Sequence, residues 1–125
     1  MKTIINSKNA PAPIGPYSQA VLAGNTLFAS GQIAINPTTG EIELSSIEAE
    51  TEQVMQNIKA VLEEASMNFE NIVKCSIFLS SMDNFSKVND VYAKYFPSNP
   101  PARETVEVSC LPKNVNVEIS FVAVK

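Results

Sequence analysis

Apolar residues recur at helical spacing in two segments of this chain and alternate with polar residues in most others. The first helical stripe consists of Val54, Met55, Ile58, Val61, Leu62 and Ala65. The second consists of Phe85, Val88, Val91, Tyr92, Tyr95 and Phe96. Each stripe covers only one side of a helix, so each helix must bury that side against another element. The alternating segments predict the strands that provide this partner surface.

Local signals predict where the two helices begin and end. Ser45 followed by Glu48 matches a capping box at the start of the first helix. Asp83 or Asn84 is expected to cap the second helix. The proline-rich segment 97–101 ends it, because proline cannot continue a helix and restricts the residue before it.

Six strands are predicted around these helices. Lys2–Ile5 reads as an edge strand, and Gly24-Asn25 predicts a hairpin turn between strands at 17–23 and 26–35. Segment 72–80 is the fourth strand, and the valine-rich segments on either side of residues 111–114 supply the last two.

The resulting order, β-β-β-α-β-α-β-β, predicts an α+β fold with a mixed sheet and both helices on one face. We expect one domain over residues 1–125, because no linker or shift in composition divides the chain. The other sheet face would then expose valine and isoleucine side chains. Because uncovered apolar faces usually mark interfaces, we expect a homo-oligomer.

Composition excludes several classes of function. The 13 acidic residues outnumber the 9 basic ones, which argues against a surface for duplex nucleic acid. The chain contains no histidine, so Ser-His-Asp triads, Cys-His pairs and histidine zinc sites are excluded. Cys75 and Cys110 are expected to be reduced thiols packed in strands, not metal ligands.

No motif for a phosphate or a dinucleotide is present, so we expect no cofactor and no metal. No apolar run approaches the ~18 residues of a membrane span. The first residues include Lys2 but no continuous apolar region, so no signal peptide is expected. A cytoplasmic protein without a membrane partner is the expectation.

Charged residues interrupt the last two predicted strands at regular positions. Arg103, Thr105 and Glu107 alternate onto one face of the first strand, and Glu118 occupies the polar face of the second. A four-residue turn at 111–114 would form a hairpin with Glu107 opposite Glu118. This face is either a solvated surface with ordinary ion pairs or a pocket in which one carboxyl group keeps its proton.

Four segments in this order resemble the RidA (YjgF) family of reactive intermediate enamine/imine deaminases. They are GPYSQAV at 15–21, ASGQIAINPTTGEI at 29–42, VNDVYAKYF at 88–96 and PPARETVEVSCLPKNVNVEI at 100–119. The resemblance implies a chorismate-mutase-like fold and a homotrimer with a central barrel and three clefts between subunits. It also implies hydrolysis of 2-imino acids and their enamine tautomers, such as 2-iminobutanoate and 2-aminoacrylate, to 2-keto acids and ammonia. These substrates are released by pyridoxal-phosphate enzymes.

The resemblance also implies roles for individual residues. The expected catalytic residues are Arg103, which grips the substrate carboxylate, Glu118 and Tyr17. The expected substrate-binding residues are Ser30, Gly31, Asn89 and Thr105. Many members of the family carry cysteine where this chain has Thr105, so any role of that thiol is absent or altered here.

Two other functions compete with the deaminase interpretation. The same pocket in a regulatory protein would hold keto acids or amino acids without turnover. Ribonuclease activity is proposed for some relatives, but the acidic balance and the absence of histidine disfavour it in this chain. Release of keto acid or ammonia beside a dehydratase distinguishes turnover from binding alone.

Overall fold

Eight regular elements follow one another in the predicted order. The structure, a computed structural model, describes all 125 residues. The elements are β1 Lys2–Ile5, β2 Ala20–Ala23, β3 Thr26–Gln32, α1 Ile47–Glu64, β4 Ile72–Leu79, α2 Phe85–Ala93, β5 Ala102–Glu107 and β6 Val117–Val124. Short 3-10 turns lie at Phe69–Asn71, Met82–Asn84 and Pro112–Asn114.

The six strands form one mixed sheet in the order β1-β2-β3-β6-β4-β5. Strands β4 and β5 are parallel, since α2 carries the chain back between them. Every other neighbouring pair is antiparallel. The last strand of the chain is therefore inserted at the centre of the sheet, between β3 and β4.

The main core lies between one face of this sheet and the two helices. Along β6 alternate side chains are buried, namely Val117, Ile119, Phe121 and Ala123. Helix α1 packs on β3 and β6, and α2 packs along α1. Both helices thus cover the same face, as predicted. Neither is long and apolar enough to cross a membrane.

The other sheet face carries a row of apolar side chains without a cover. The strand registers place Ile4 beside Val21, Val21 beside Phe28, and Phe28 beside Val122. Ile4 and Phe28 are each 51% exposed. The predicted uncovered face is confirmed, and the row extends across four strands.

The predicted hairpin between the last two strands is wrong. Strand β4 lies between β5 and β6 and pairs with both. The connecting segment 108–116 crosses from one side of β4 to the other, so the turn at Pro112–Asn114 does not join two paired strands. Leu111 and Val115 from this segment are buried beside Ile33 in a small second core, which stabilises the crossing.

The insertion of β4 also changes which charged residues share a face. Arg103 lies beside Cys75, which is buried on the helix-covered side. Glu118 lies beside Phe78, on the opposite side of the sheet. The side chains of laterally paired residues point to the same sheet face. Arg103 and Glu118 of one chain therefore lie on opposite faces of the sheet.

Glu107 was predicted to lie opposite Glu118, but it does not. It lies beside Leu79 at the edge of the sheet, where its carboxylate accepts a hydrogen bond from the backbone N–H of Met82 at 2.8 Å. The Thr105 side chain lies on the same sheet face as Arg103, and not on the face that carries Glu118. The alternation within each strand was predicted correctly, but the relation between the strands was not.

The capping box at the start of α1 is also wrong by one residue. Ser46, not Ser45, is the N-cap, and its hydroxyl accepts from the Ala49 N–H at 3.0 Å. Ser45 instead donates to the carboxylate of Glu43 through both its backbone and its hydroxyl. The Glu48 carboxylate therefore has no part in the cap.

Asn84 precedes α2 as predicted, but its side chain makes no capping hydrogen bond. The cap acts one turn earlier, where the Ser81 hydroxyl accepts from the Asp83 N–H at 3.1 Å. A 3-10 turn then leads into the helix, so the first backbone N–H groups of the helix are already satisfied and need no cap from the Asn84 side chain.

The hairpin strands are shorter than predicted. Strand β2 starts at Ala20 and not at Tyr17, and β3 ends at Gln32 and not at Ile35. The carbonyl of Ile35 accepts a hydrogen bond from the Asn57 side chain at 2.9 Å. After Gln32 the chain leaves β6, and Ile35 forms an isolated bridge with Ile42 instead.

The two cysteines have different environments. Cys75 is buried in β4, as predicted, and burial raises the pKa of its thiol. Cys110 is exposed, lies outside the strands and contacts the side-chain oxygen of Asn114 at 3.2 Å. The prediction that both thiols pack in strands is therefore wrong for Cys110, because β5 ends at Glu107.

A buried carboxylate on α1 fixes the start of the central strand. Glu50 is 1% exposed and accepts three hydrogen bonds. The donors are the Asn116 backbone at 2.7 Å, the Asn116 side chain at 2.8 Å and the Val117 backbone at 3.1 Å. These bonds compensate the burial of a carboxylate that has no cationic partner.

We expect Glu50→Gln to lower the free energy of unfolding by about 3 kcal/mol. The side-chain NH2 group of glutamine is a donor, so it would face N–H groups that now bind a carboxylate oxygen and would leave them without an acceptor. Urea denaturation at fixed protein concentration measures this change. Glu48→Gln, an exposed change on the same helix, serves as the control and should stay within about 0.5 kcal/mol of the wild type. Equal stability of the two variants would contradict the role of Glu50.

Candidate active site

A bulge interrupts β3 where it pairs with the centre of β6. Ala29 pairs with Phe121 and Gln32 with Ile119, so β3 carries one residue more than β6 between these pairs. The Ser30 hydroxyl donates to the carbonyl of Ser18 at 2.6 Å. Ser30 and Gly31 therefore form a fixed bulge, in agreement with the tendency of glycine inside a strand to mark one.

Gly31 is required by the position of Glu118. A Cβ atom on residue 31 would lie 2.7 Å from the carboxyl carbon of Glu118, a distance that real Cβ atoms do not reach. The missing side chain thus makes room for this carboxyl group directly over the bulge. Burial raises the pKa of the Glu118 carboxyl, because removal from water disfavours its charged form.

The bulge and Glu118 line a pocket of about 380 Å³. Tyr17 forms part of its wall together with Ile14, and Ile33 contributes another apolar surface. Tyr17 is 48% exposed, and its hydroxyl accepts from the Ile14 N–H at 3.4 Å. The pocket therefore combines one carboxyl group with apolar and uncharged polar walls, a common composition for a small-molecule site.

A buried glutamine holds the N-terminal wall of this pocket. Gln19 is 2% exposed; its oxygen accepts from the Ser7 N–H at 2.6 Å. Its amide donates to the carbonyls of Ser7 at 3.0 Å and Pro11 at 2.9 Å. This one side chain substitutes for strand pairing in the loop that precedes β2.

A buried asparagine holds the opposite wall. The Asn57 amide donates to the carbonyls of Ile33 at 3.0 Å and Ile35 at 2.9 Å. Its oxygen accepts from Gln53 at 3.0 Å. Helix α1 thus fixes the backbone that continues from β3 along the pocket.

Arg103 lies at a second concave surface, of about 450 Å³, on the other side of the sheet. Its Nη1 donates to the side-chain oxygen of Asn89 at 2.7 Å. Its guanidinium carbon lies 5.1 Å from the ring centre of Tyr92 and 5.6 Å from that of Phe85. No carboxylate of the chain pairs with it, so most of its N–H donors remain open to an anion.

Two buried hydroxyl groups close to Arg103 have no nitrogen or oxygen hydrogen-bond partner. They belong to Tyr92 and Thr105. Thr105 lies two residues after Arg103 on β5 and points to the same face. Burial raises the pKa of the Tyr92 hydroxyl, which therefore stays protonated.

The chain brings the seven predicted site residues together in two groups. The first group, at the bulge, consists of Tyr17, Ser30, Gly31 and Glu118. The second group, around the end of α2 and the start of β5, consists of Asn89, Arg103 and Thr105. The two groups lie on opposite faces of the sheet, so the chain by itself does not join them.

Sequence reasoning missed four residues that shape these surfaces. They are Gln19, Asn57, Phe85 and Tyr92. The aromatic pair was assigned only to the apolar stripe of its helix. Their spacing of seven residues, with Asn89 between them, is a usable signal for one helix face.

Comparison with known proteins identifies the family. Residues 7–125 match the family model described as Endoribonuclease L-PSP. The chain is 52% identical to a RutC family protein from Pyrococcus horikoshii over 100% of this chain and 99% of that protein. It is 41% identical to Reactive Intermediate Deaminase A, chloroplastic, from Arabidopsis thaliana, over 98% of this chain and 65% of that protein.

The fold agrees with the same relationship. A crystal structure of YyfA from Yersinia pestis, a protein of the conserved Rid family, is 51% identical and superposes with a TM-score of 0.97 over 100% of both chains. The α+β fold class predicted from the sequence is thereby confirmed. On the family model and these relatives, the chain belongs to the RidA (YjgF) family.

Proposed function

We propose that this protein hydrolyses 2-imino acids and their enamine tautomers, including 2-iminobutanoate and 2-aminoacrylate, to 2-keto acids and ammonia. The observation that carries the proposal is the pair of complementary groups. One surface offers an arginine without a carboxylate partner, and the other offers a carboxyl group whose pKa is raised by burial. A small carboxylate with a reactive C=N bond needs both.

Arg103 is suited to the carboxylate of such a substrate. A guanidinium binds a carboxylate through two parallel hydrogen bonds, which fix position and orientation together. Asn89 accepts one N–H and leaves the others available. Positioning of the substrate in this way supplies part of the acceleration.

Glu118 is suited to the proton transfers. Water attacks the imine carbon, a C–O bond forms, and the electron pair of the C=N bond moves to nitrogen. Glu118 in its acid form donates a proton to this nitrogen and takes one back from the attacking water, which gives the carbinolamine. The same carboxyl group then donates a second proton to the departing nitrogen and accepts the proton of the carbinolamine hydroxyl. The C–N bond breaks, ammonia leaves and the keto acid remains. A positioned acid contributes about 10²–10⁴ to such a rate.

A second copy of the chain joins the two groups in this proposal. The uncovered apolar row gives each copy a surface that is stable only when buried. Arg103 lies on the edge strand β5, where a neighbouring copy can reach it. We infer a homotrimer in which each cleft takes Arg103 from one subunit and Glu118 with Tyr17 from the next.

An assay coupled to a threonine dehydratase tests the function. Wild-type protein should raise keto-acid and ammonia release above the uncatalysed rate. Arg103→Ala should lower turnover by about 10²-fold or more, because two charge-assisted hydrogen bonds are lost. Arg103→Lys keeps the charge but loses the planar guanidinium with its two parallel N–H donors, so keto-acid binding should weaken clearly in calorimetry.

Saturable keto-acid binding without any acceleration would instead favour a ligand-sensing protein. Binding and turnover of Arg103→Ala equal to the wild type, in a folded protein, would refute the deaminase proposal. The Lys87→Ala variant, an exposed change on α2, is the matched control for loss of a cation.

Glu118→Gln should lower turnover by about 10²-fold or more while keto-acid affinity changes much less. The raised pKa sets the pH dependence: the acid form of Glu118 is lost as pH rises through this pKa. The ratio of wild-type to variant turnover should therefore fall with rising pH. Glu107→Gln, at the sheet edge, is the control. A ratio that does not change with pH would exclude Glu118 as the acid.

Mixing of two inactive variants tests the shared cleft. Arg103→Ala and Glu118→Gln chains, unfolded together and refolded at equal concentration, should recover about a quarter of wild-type activity. Each cleft receives an intact arginine in half of the cases and an intact glutamate in half of the cases, so about a quarter of the clefts contain both. Light scattering should give a trimer. Mixed trimers without recovered activity would mean that one chain provides both groups.

A further inference from the structure

We propose that Phe85 and Tyr92 are positioning residues for substrate recognition, and that their ring faces hold the guanidinium of Arg103 in place of a carboxylate partner. This inference rests on the proposed function, because it concerns how the carboxylate-binding arginine is prepared. It assigns to α2 a role beyond packing: the helix provides the platform on which the arginine lies.

Three residues of α2 face Arg103 from one side of the helix. Phe85, Asn89 and Tyr92 are spaced four and three residues apart, so they lie on one stripe across two turns. The two rings lie 5.6 and 5.1 Å from the guanidinium carbon, within the ~6 Å range of cation–π attraction. Asn89 lies between them and accepts from Nη1 at 2.7 Å.

This environment differs from the usual one for a half-buried arginine. A carboxylate partner would neutralise the cation and occupy the in-plane N–H groups that a substrate carboxylate needs. Both ion pairs of this chain involve lysines, Lys59 with Glu63 and Lys74 with Glu104. An aromatic face attracts the cation from above or below its plane and leaves the in-plane N–H groups free.

The platform itself is held by the core. Tyr92 is 5% exposed, and its ring packs against Phe96 with 4.8 Å between ring centres. Phe96 in turn contacts Phe69 edge-on at 5.7 Å. Because these rings are fixed in the folded chain, much of the freedom of the Arg103 side chain is lost on folding and need not be lost on binding.

The ring of Tyr92, and not its hydroxyl, provides this contact. The hydroxyl is buried, and its one neighbour able to hydrogen-bond is the weakly bonding thiol of Cys75. Tyr92→Phe therefore keeps the platform and removes a hydroxyl that burial leaves poorly satisfied. It separates a role of the aromatic face from a role of the polar atom.

Calorimetric titration with 2-oxobutanoate tests the platform on the assembled protein. Phe85→Leu should weaken binding about fivefold, as expected for loss of one partly desolvated cation–π contact. Phe85→Tyr and Tyr92→Phe should bind within about twofold of the wild type. In the coupled assay, Phe85→Leu should raise KM by a similar factor and leave kcat within about twofold.

Phe69→Leu is the matched control, because Phe69 is a half-buried ring in the same aromatic cluster without contact to Arg103. Phe69 supports the platform only indirectly, through Phe96, so affinity of Phe69→Leu within about twofold of the wild type, a clearly smaller loss than that of Phe85→Leu, supports the proposal. Equal losses in Phe69→Leu and Phe85→Leu would overturn it, as would unchanged affinity of Phe85→Leu while Arg103→Ala loses binding. Normal binding by Arg103→Ala would refute the proposed function itself, so the two failures are distinguishable.

Discussion

The candidate site depends on the contact between Glu118 and the backbone of Gly31. The carboxyl group occupies space that a Cβ atom would need, so a larger residue at position 31 would displace this carboxyl group from its observed place. The bulge at this position turns the chain away from regular pairing and opens the pocket. Burial at this contact also raises the pKa of Glu118, so the packing constraint and the proposed acid chemistry have one physical origin.

Buried polar side chains position the irregular segments around that contact. Gln19 binds the N-terminal loop, Asn57 binds the segment after β3, and Glu50 binds the start of β6. Each replaces the missing backbone partners of a segment outside regular structure, since buried N–H and C=O groups are costly when unpaired. Two of the three lie on α1, so this helix both covers the core and shapes the pocket.

The two groups of site residues differ in physical character. Around Glu118 the surroundings disfavour charge, whereas around Arg103 aromatic faces attract a cation without neutralising it. Their separation across the sheet means that a chain alone offers either a proton donor or an anion site at each surface. The proposed assembly combines them, and the same apolar row that is exposed in one chain gives the reason for association.

The sequence by itself determined the order of the elements, the two helix stripes and the alternation within each strand, because these patterns depend on local periodicity. With the family resemblance it also predicted the candidate residues of both groups, including Arg103 and Glu118. It did not determine that β4 lies between β5 and β6, because no local signal records which strand pairs with which across the sheet. The tertiary structure decided this pairing through the burial of Leu111 and Val115 beside Ile33 and the hydrogen bonds of Glu50 at the start of β6. Insertion of one strand placed Arg103 and Glu118 on opposite faces, and only these long-range contacts carry that information.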